Sequence, residues 1–227
     1  MTVLFAMEFD TTDTLAATAD ADVVVSQEEF FGGGLATVTA ADGIGTALAF
    51  PPFADGEEEP GVGITVLGPG VPEPDPAATA FGFGADVRIE GGAQSSAADN
   101  GDNVIQRGLA ADLAQYKLQV DNGRPSCSAT GSAGRVLVKG DALVDQTWYR
   151  VACRLDATGM TLTVTDLDTG ERGEFTEPGT VGAVTFDENV PLAIGRKAGA
   201  DGVGILKQPD QFNGSLDAVW VGETVAP

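Results

Sequence analysis

The 227-residue chain contains no histidine. That removes Ser-His-Asp and Cys-His catalysis, and zinc sites built on imidazole. Basic residues are scarce, with 12 Lys and Arg against 34 Asp and Glu, a formal charge of −22 and a pI near 4.1. A surface this acidic repels phosphate backbones and anionic membranes, so nucleic acid and membrane insertion are not expected partners. Divalent cations and high ionic strength remain compatible with it. No window approaches 18 consecutive apolar residues, the length a spanning helix needs. Met1-Thr-Val-Leu-Phe-Ala-Met reaches Glu8 too soon for the apolar stretch of a secretory leader and has no basic start. The expectation is an extracellular or virion location reached without a signal peptide in this chain. Aromatics make up only 7% of residues. Trp148, Trp220, Tyr116 and Tyr149 alone combine a stacking face with a hydrogen-bonding group, and both tryptophans are expected to pack between layers.

What the chain does hold is apolar content and punctuation. Hydrophobic residues reach 43%, enough for a core, and 31 glycines and 12 prolines are spread along the chain rather than gathered in one block. This pattern favours many short strands joined by turns. The clearest stretch is 147–166. Tyr149, Val151, Cys153 and Leu155 alternate with Trp148, Arg150, Ala152 and Arg154; Asp156-Ala-Thr-Gly159 makes the turn; Met160, Leu162 and Val164 then alternate with threonines. Further strands are expected at 3–9, 23–25, 35–38, 47–50, 62–67, 81–89, 104–108, 116–121, 127–130, 135–139, 182–186, 192–196 and 212–221. Only Leu109–Ala114 reads as a helical piece. With no long amphipathic helix and no repeat, the fold class is all-β: a two-sheet antiparallel jelly-roll sandwich forming a single domain over 1–227.

Candidate chemistry is sparse. Gly82-Phe-Gly84 and Gly61-Val-Gly63 precede no helix and no Lys-Ser or Lys-Thr pair, so they read as turn and edge glycines rather than a phosphate cradle. Sandwich glucanases carry acids at i, i+2 and i+4 on one strand. Glu8 and Asp10 begin such a spacing, but position 12 is Thr12, and no acid triad occurs elsewhere. Catalytic residues are therefore none. Acids on turns can ligate calcium, and the groups at 10–22 and 99–103 are candidates, the former joined by Asp217 if the first and last strands are neighbours. Cys127 and Cys153 either form a disulfide, worth ~3 kcal/mol on the chain-entropy model, or remain two buried thiols. Asn213-Gly-Ser215 fits an N-glycosylation sequon by chance.

The order of segments resembles the laminin-G-like, concanavalin A-like lectin/glucanase family. The resemblance rests on Phe81-Gly-Phe-Gly-Ala-Asp-Val-Arg88, Asn103-Val-Ile-Gln-Arg-Gly108, Tyr116-Lys-Leu-Gln-Val-Asp121 and Gln146-Thr-Trp-Tyr-Arg-Val-Ala152, where Tyr149 replaces the usual His. Pro191-Leu-Ala-Ile-Gly195 and Phe212-Asn-Gly-Ser-Leu-Asp217 match its closing motifs, and Gly43-Ile-Gly-Thr-Ala-Leu-Ala-Phe50 its early strand. The resemblance implies a curved sandwich whose members are mostly glycan- or protein-binding modules, with some glycosidases and lyases. It also implies a structural calcium between an N-terminal acidic loop, here Asp10, Asp20 and Asp22, and Asp217. The expected function is a non-catalytic carbohydrate- or surface-binding adhesion module, such as a phage minor tail or decoration protein touching other virion proteins. The alternatives are a glycoside hydrolase or polysaccharide lyase of the same fold, and a purely structural assembly protein.

A surface charge of −22 repels itself in the folded state. Raising NaCl from about 0.05 M to about 1 M shortens the Debye length to roughly 3 Å and should raise Tm in a calorimetric scan. A falling Tm would contradict that reading of the surface.

Overall fold

The computed structural model describes residues 2–9, 17–19, 23–54, 58–76, 79–90 and 101–224. Sixteen strands form among these residues: β1 (Thr2–Met7), β2 (Ala17–Ala19), β3 (Val24–Phe30), β4 (Ala36–Thr39), β5 (Thr46–Ala49), β6 (Gly61–Leu67), β7 (Ala80–Ile89), β8 (Asn103–Arg107), β9 (Gln115–Asp121), β10 (Arg124–Gly131), β11 (Gly134–Lys139), β12 (Trp148–Asp156), β13 (Gly159–Asp166), β14 (Arg172–Pro178), β15 (Leu192–Ile194) and β16 (Gly214–Thr224). They pair antiparallel into a nine-stranded sheet, β14-β13-β12-β7-β16-β1-β2 with β5 attached to β16 and β4 to β5, and a seven-stranded sheet, β11-β10-β9-β8-β15-β6-β3. No helix is present among the described residues, and none is long and apolar enough to cross a membrane.

Alternation builds the sandwich. In β12, Tyr149, Val151, Cys153 and Leu155 point inward and are buried. Their register partners Val87, Ala85, Phe83 and Phe81 on β7 do the same. Tyr116, Leu118 and Val120 of β9 face them from the other sheet, each 0% exposed. Tyr116 meets Phe83 at 5.1 Å, Phe81 at 5.2 Å and Phe186 at 5.8 Å between ring centroids. Aromatic pairs in this range add about 0.5–1.5 kcal/mol each beyond the area they bury. One contiguous apolar cluster runs from Phe5 to Val221 through both sheets.

The turns follow the residues. Asn122 (φ 50°) and Gly123 (φ 70°) join β9 to β10 as a two-residue primed turn, the conformation Asn-Gly tolerates best. Asp156 Oδ1 accepts the Thr158 N–H at 2.8 Å and closes the β12–β13 hairpin.

Several expectations do not hold. Leu109–Ala114 is a turn, because Asp112 turns its carboxylate back to the Leu109 N–H (2.6 Å) and leaves Leu113 92% exposed. Residues 182–186 form no strand, although Val184 is buried. Gly61, Gly63 and Gly84 lie inside strands rather than at turns. A Cβ on Gly61 would stand 2.1 Å from Arg196 Nη1, and one on Gly84 would stand 2.9 Å from Trp220 Nε1. Neither tryptophan packs between the sheets. Trp148 lies on the outer side of the nine-stranded sheet in a small cluster with Ala40 and Ala47, and Trp220 is half-buried on that same side.

Cys127 of β10 and Cys153 of β12 are joined by a disulfide across the sandwich, 26 residues apart in sequence. Closing a loop of that length removes unfolded-state entropy worth about 3 kcal/mol. The double substitution Cys127→Ala, Cys153→Ala should lower urea stability by about that amount or more. Full alkylation of both thiols in unreduced, denatured protein would contradict the cross-link.

Candidate ligand-binding cleft

At the edge of the sandwich where β14 meets the loop after β11, the two sheets leave a cleft of about 210 Å³. It is lined by Asp141, Ala142 and Leu143 from the loop, Tyr149 from β12, Val164 and Asp166 from β13, and Glu171, Gly173 and Phe175 from the hairpin into β14. Pockets for drug-sized ligands measure roughly 300–1,000 Å³, so this one suits a single ring with the rest of its ligand outside.

Each wall has a local cause. The loop is tied down by its backbone: Gly140 N–H donates to Pro125 O (2.9 Å), Leu143 N–H to Gly123 O (2.8 Å) and Gln146 N–H to Ile89 O (3.1 Å). Val144 N–H donates to the Tyr149 hydroxyl at 3.3 Å. Tyr149 is 9% exposed, and its own O–H meets no acceptor among the described residues. The opposite wall is shaped by Asp166, whose Oδ1 accepts Thr169 N–H (2.8 Å) and Asp168 N–H (2.9 Å) to form the β13–β14 turn. Those donors, Thr169 foremost, hold its carboxyl below the ordinary 3.8. Val164, Phe175 and Leu143 pack against the main core and give the cleft an apolar floor. Asp141, Asp166 and Glu171 form no ion pair among the described residues and leave an acidic, acceptor-rich rim.

The outer face of the seven-stranded sheet has different chemistry. There β9 presents Gln115, Lys117 and Gln119, at the i, i+2, i+4 spacing that carries acids in sandwich glucanases. Beside them lie Gln106 and Asn103 of β8 and Ser126 and Ser128 of β10, all nearly buried. Asp210 is clamped between Lys117 Nζ and Lys197 Nζ, both at 3.0 Å. Burial lowers the Lys117 pKa against the attraction of Asp210. Arg196 pins the neighbouring loop, lying over Gly61 and Gly63 with its guanidinium 4.0 Å from the Phe30 ring and hydrogen-bonded to Gln211. The arrangement braces a loop, and the Gln115, Lys117 and Gln119 row holds no carboxylate.

Of the sequence-derived metal candidates, Asp10, Asp20 and Asp22 lie outside the described residues, as do Asp99 and Asn100. Asp217 stands on the outer face of the nine-stranded sheet, opposite Asp86 in register. Its Oδ1 accepts the Ala218 N–H at 2.8 Å. Asp86 is held bidentate by Arg150, at 2.8 Å from Nε and 2.7 Å from Nη2, and Glu8 and Asp217 add to the attraction that keeps Arg150 charged. Among the described residues no three acids converge as a metal site would require. Asn213 of the sequon is buried, its amide donating to Pro51 O at 2.9 Å, so the folded chain presents no acceptor there. The residues of the cleft were not picked out by sequence. Tyr149 falls in the inward alternation of its strand, and no spacing in the sequence groups Asp141, Asp166 and Glu171 with it.

No family model matches this sequence, and no curated protein matches it. Solved structures do. Domain 4 of AbnA, a GH43 extracellular arabinanase from Geobacillus stearothermophilus solved in complex with arabinotriose, superposes with a TM-score of 0.57 at 14% identity, covering 98% of this chain and 94% of that one. The fold is a concanavalin A-like jelly roll. The enzymatically active domain of tailspike protein 2 from bacteriophage CBA120 shares this jelly roll with a TM-score of 0.56 at 15% identity over 89% of the present chain. The chain spans only 29% of that tailspike. The binding domain of botulinum neurotoxin serotype G matches at a TM-score of 0.55 and 6% identity, over 100% of this chain and 49% of that one. At these identities the likeness is one of fold.

The Asp166 carboxyl has its pKa depressed on folding, so its contribution to the turn is complete above 3.8 and is lost as pH falls below 3.8 through the folded value. An NMR titration of the Asp166 side chain should give a midpoint below 3.8. A midpoint at or above it would contradict the turn that walls the cleft.

Proposed function

We propose that the jelly roll is a non-catalytic glycan-binding module that seats one sugar ring in the edge cleft. The observation that carries this reading is the pairing of an apolar floor, Phe175 and Val164, with groups of opposite hydrogen-bonding sense. The carboxylates of Asp141 and Glu171 accept from sugar hydroxyls, and the Tyr149 O–H donates to one. A sugar ring has a C–H face for the floor and a hydroxyl edge that gives and takes hydrogen bonds, which matches such a mixed wall. Two features favour binding over cleavage. A glycosidase needs a general acid of raised pKa opposite a second carboxylate, whereas Asp166 is pushed down and committed to its turn. The β9 row offers amides and an ammonium where a glucanase offers acids.

The fold neighbours agree with a surface-recognition role: a domain solved with arabinotriose, a toxin binding domain and a phage tailspike. We take the module to act outside the cell or on a virion, as a minor tail or decoration protein that touches a host glycan and its neighbours in the particle. Calcium bound by Asp217 with the acids at 10–22 belongs to the same reading as a structural ion, and a thermal shift on adding calcium that is lost in Asp217→Asn tests it.

On a glycan array the chain should bind a restricted set of structures. Tyr149→Phe and Glu171→Gln should each weaken the best of them about ten-fold, the size expected for losing one well-placed hydrogen bond to a charged or buried partner. No reducing sugar should be released. Absence of any array binding overturns the proposal. So does sugar release that disappears in Asp141→Asn. Mass spectrometry of purified virions tests the particle assignment separately.

A further inference from the structure

A second surface of the molecule has features that neither the core nor the cleft requires. It lies on the outer face of the nine-stranded sheet, where β16 contains a bulge between Asp217 and Trp220. Ala218 takes φ 45°, a left-handed conformation that non-glycine residues adopt only under strain. The extra residue shifts the alternation. Asp217 pairs with Asp86 and Trp220 with Gly84, so both side chains emerge on the outer side, while Leu216, Val219 and Val221 remain buried inside. Without the bulge, a period of two would place Trp220 on the core side with Leu216.

The indole is only half-buried. It rests directly over Gly84, where a Cβ would stand 2.9 Å from Nε1 and 2.6 Å from Val151 O. Its N–H has no acceptor among the described residues. Continuing the register across the sheet, Gly84 is followed by Ala152 and Thr163. Small side chains there set the sheet surface low between two arginines, a shallow trough with Arg150 at one end and Arg154 at the other, four positions apart on the same outer face of β12. Arg150 has a side chain 55% exposed and is locked in a planar bidentate pair with Asp86. Arg154 is held by Asp156.

We infer that this trough is a second glycan site, taking a neutral sugar ring against the Trp220 indole. Its hydroxyls would lie between the Arg150–Asp86 pair and the indole N–H. Carbohydrate is favoured over a protein partner by what the face lacks. Protein interfaces centre on buried apolar anchors, and none of the exposed large hydrophobic residues belongs to β7, β12, β13 or β16. A neutral ligand is favoured over an anionic one because Asp86, Asp217 and Glu8 surround Arg150. This site stands on the side of β12 opposite Tyr149 and is independent of the cleft. With two sites on one module, a repeating polysaccharide gains avidity without new contacts.

The test is a ¹⁵N heteronuclear spectrum of the full chain titrated with arabinotriose, maltotriose and cellotriose to about 10 mM, enough to populate a site of millimolar Kd. Trp148 and Trp220 give separate indole cross-peaks, assigned by Trp220→Phe. The Trp220 peak should move saturably with at least one trisaccharide. Arg150→Gln should weaken that titration about ten-fold, and Tyr149→Phe should leave it within about two-fold. Immobility of the Trp220 peak with all three sugars overturns the second site, whatever the cleft residues do. Movement of Trp220 that disappears in Tyr149→Phe also overturns it, since a single site at the cleft would then account for both. The Val144 amide reports on the cleft separately: it moves if a sugar enters there and stays fixed if the cleft reading fails.

Discussion

The structure depends on one requirement, that two sheets each bury a single face against the other. Strict alternation in β7, β9 and β12 meets it, with Phe81, Phe83, Tyr116 and Tyr149 filling the space between. The Cys127–Cys153 bond joins the two layers covalently at the same level. Because the interior is filled by these side chains, chemistry is displaced to three places: the two outer faces and the open edge. The net charge of −22 is therefore carried on surfaces that the core does not constrain.

Those three places have distinct characters. The outer face of the seven-stranded sheet is tightly braced by Arg196 and by Asp210 between two of the chain's four lysines. The edge is open, because β14 is the last strand of its sheet and the loop after β11 is drawn back by its bonds to Pro125 and Gly123. The outer face of the nine-stranded sheet is reshaped by the β16 bulge. Both proposed sites use β12, one through the inward-facing Tyr149 and the other through the outward-facing Arg150. Period two makes one strand serve both.

Much of the fold was legible because alternation and turn chemistry act locally. The hairpin at 147–166 and the Asn122-Gly123 turn fall where their residues place them, and the two-sheet architecture follows from counting such strands. What was not legible depended on distant partners. The strand β14 half-buries only Gly173 and Phe175 among exposed residues, too little apolar signal to mark a strand. The propensity of Leu109–Ala114 for helix lost to a side chain that capped its own turn. The bulge has Ala218 rather than glycine at its left-handed position, which hides it from any turn rule and sends Trp220 to the opposite side from the one expected. Glycines 61 and 84 read as punctuation, yet they are bare because Arg196 and Trp220 lie on them. The cleft was illegible for the same reason. Asp141, Tyr149, Asp166 and Glu171 are separated in sequence and meet only at the edge of the sandwich.

The claim at the centre of this account is that the edge cleft, not a catalytic groove, receives a sugar. A crystal structure of the chain with the strongest glycan from the array tests it most directly. The account predicts an intact sugar whose ring lies on Phe175, with hydroxyls within hydrogen-bond reach of Asp141, Glu171 and the Tyr149 Oη. A glycan bound only elsewhere with the cleft empty, or a cleaved product in the cleft, would contradict it.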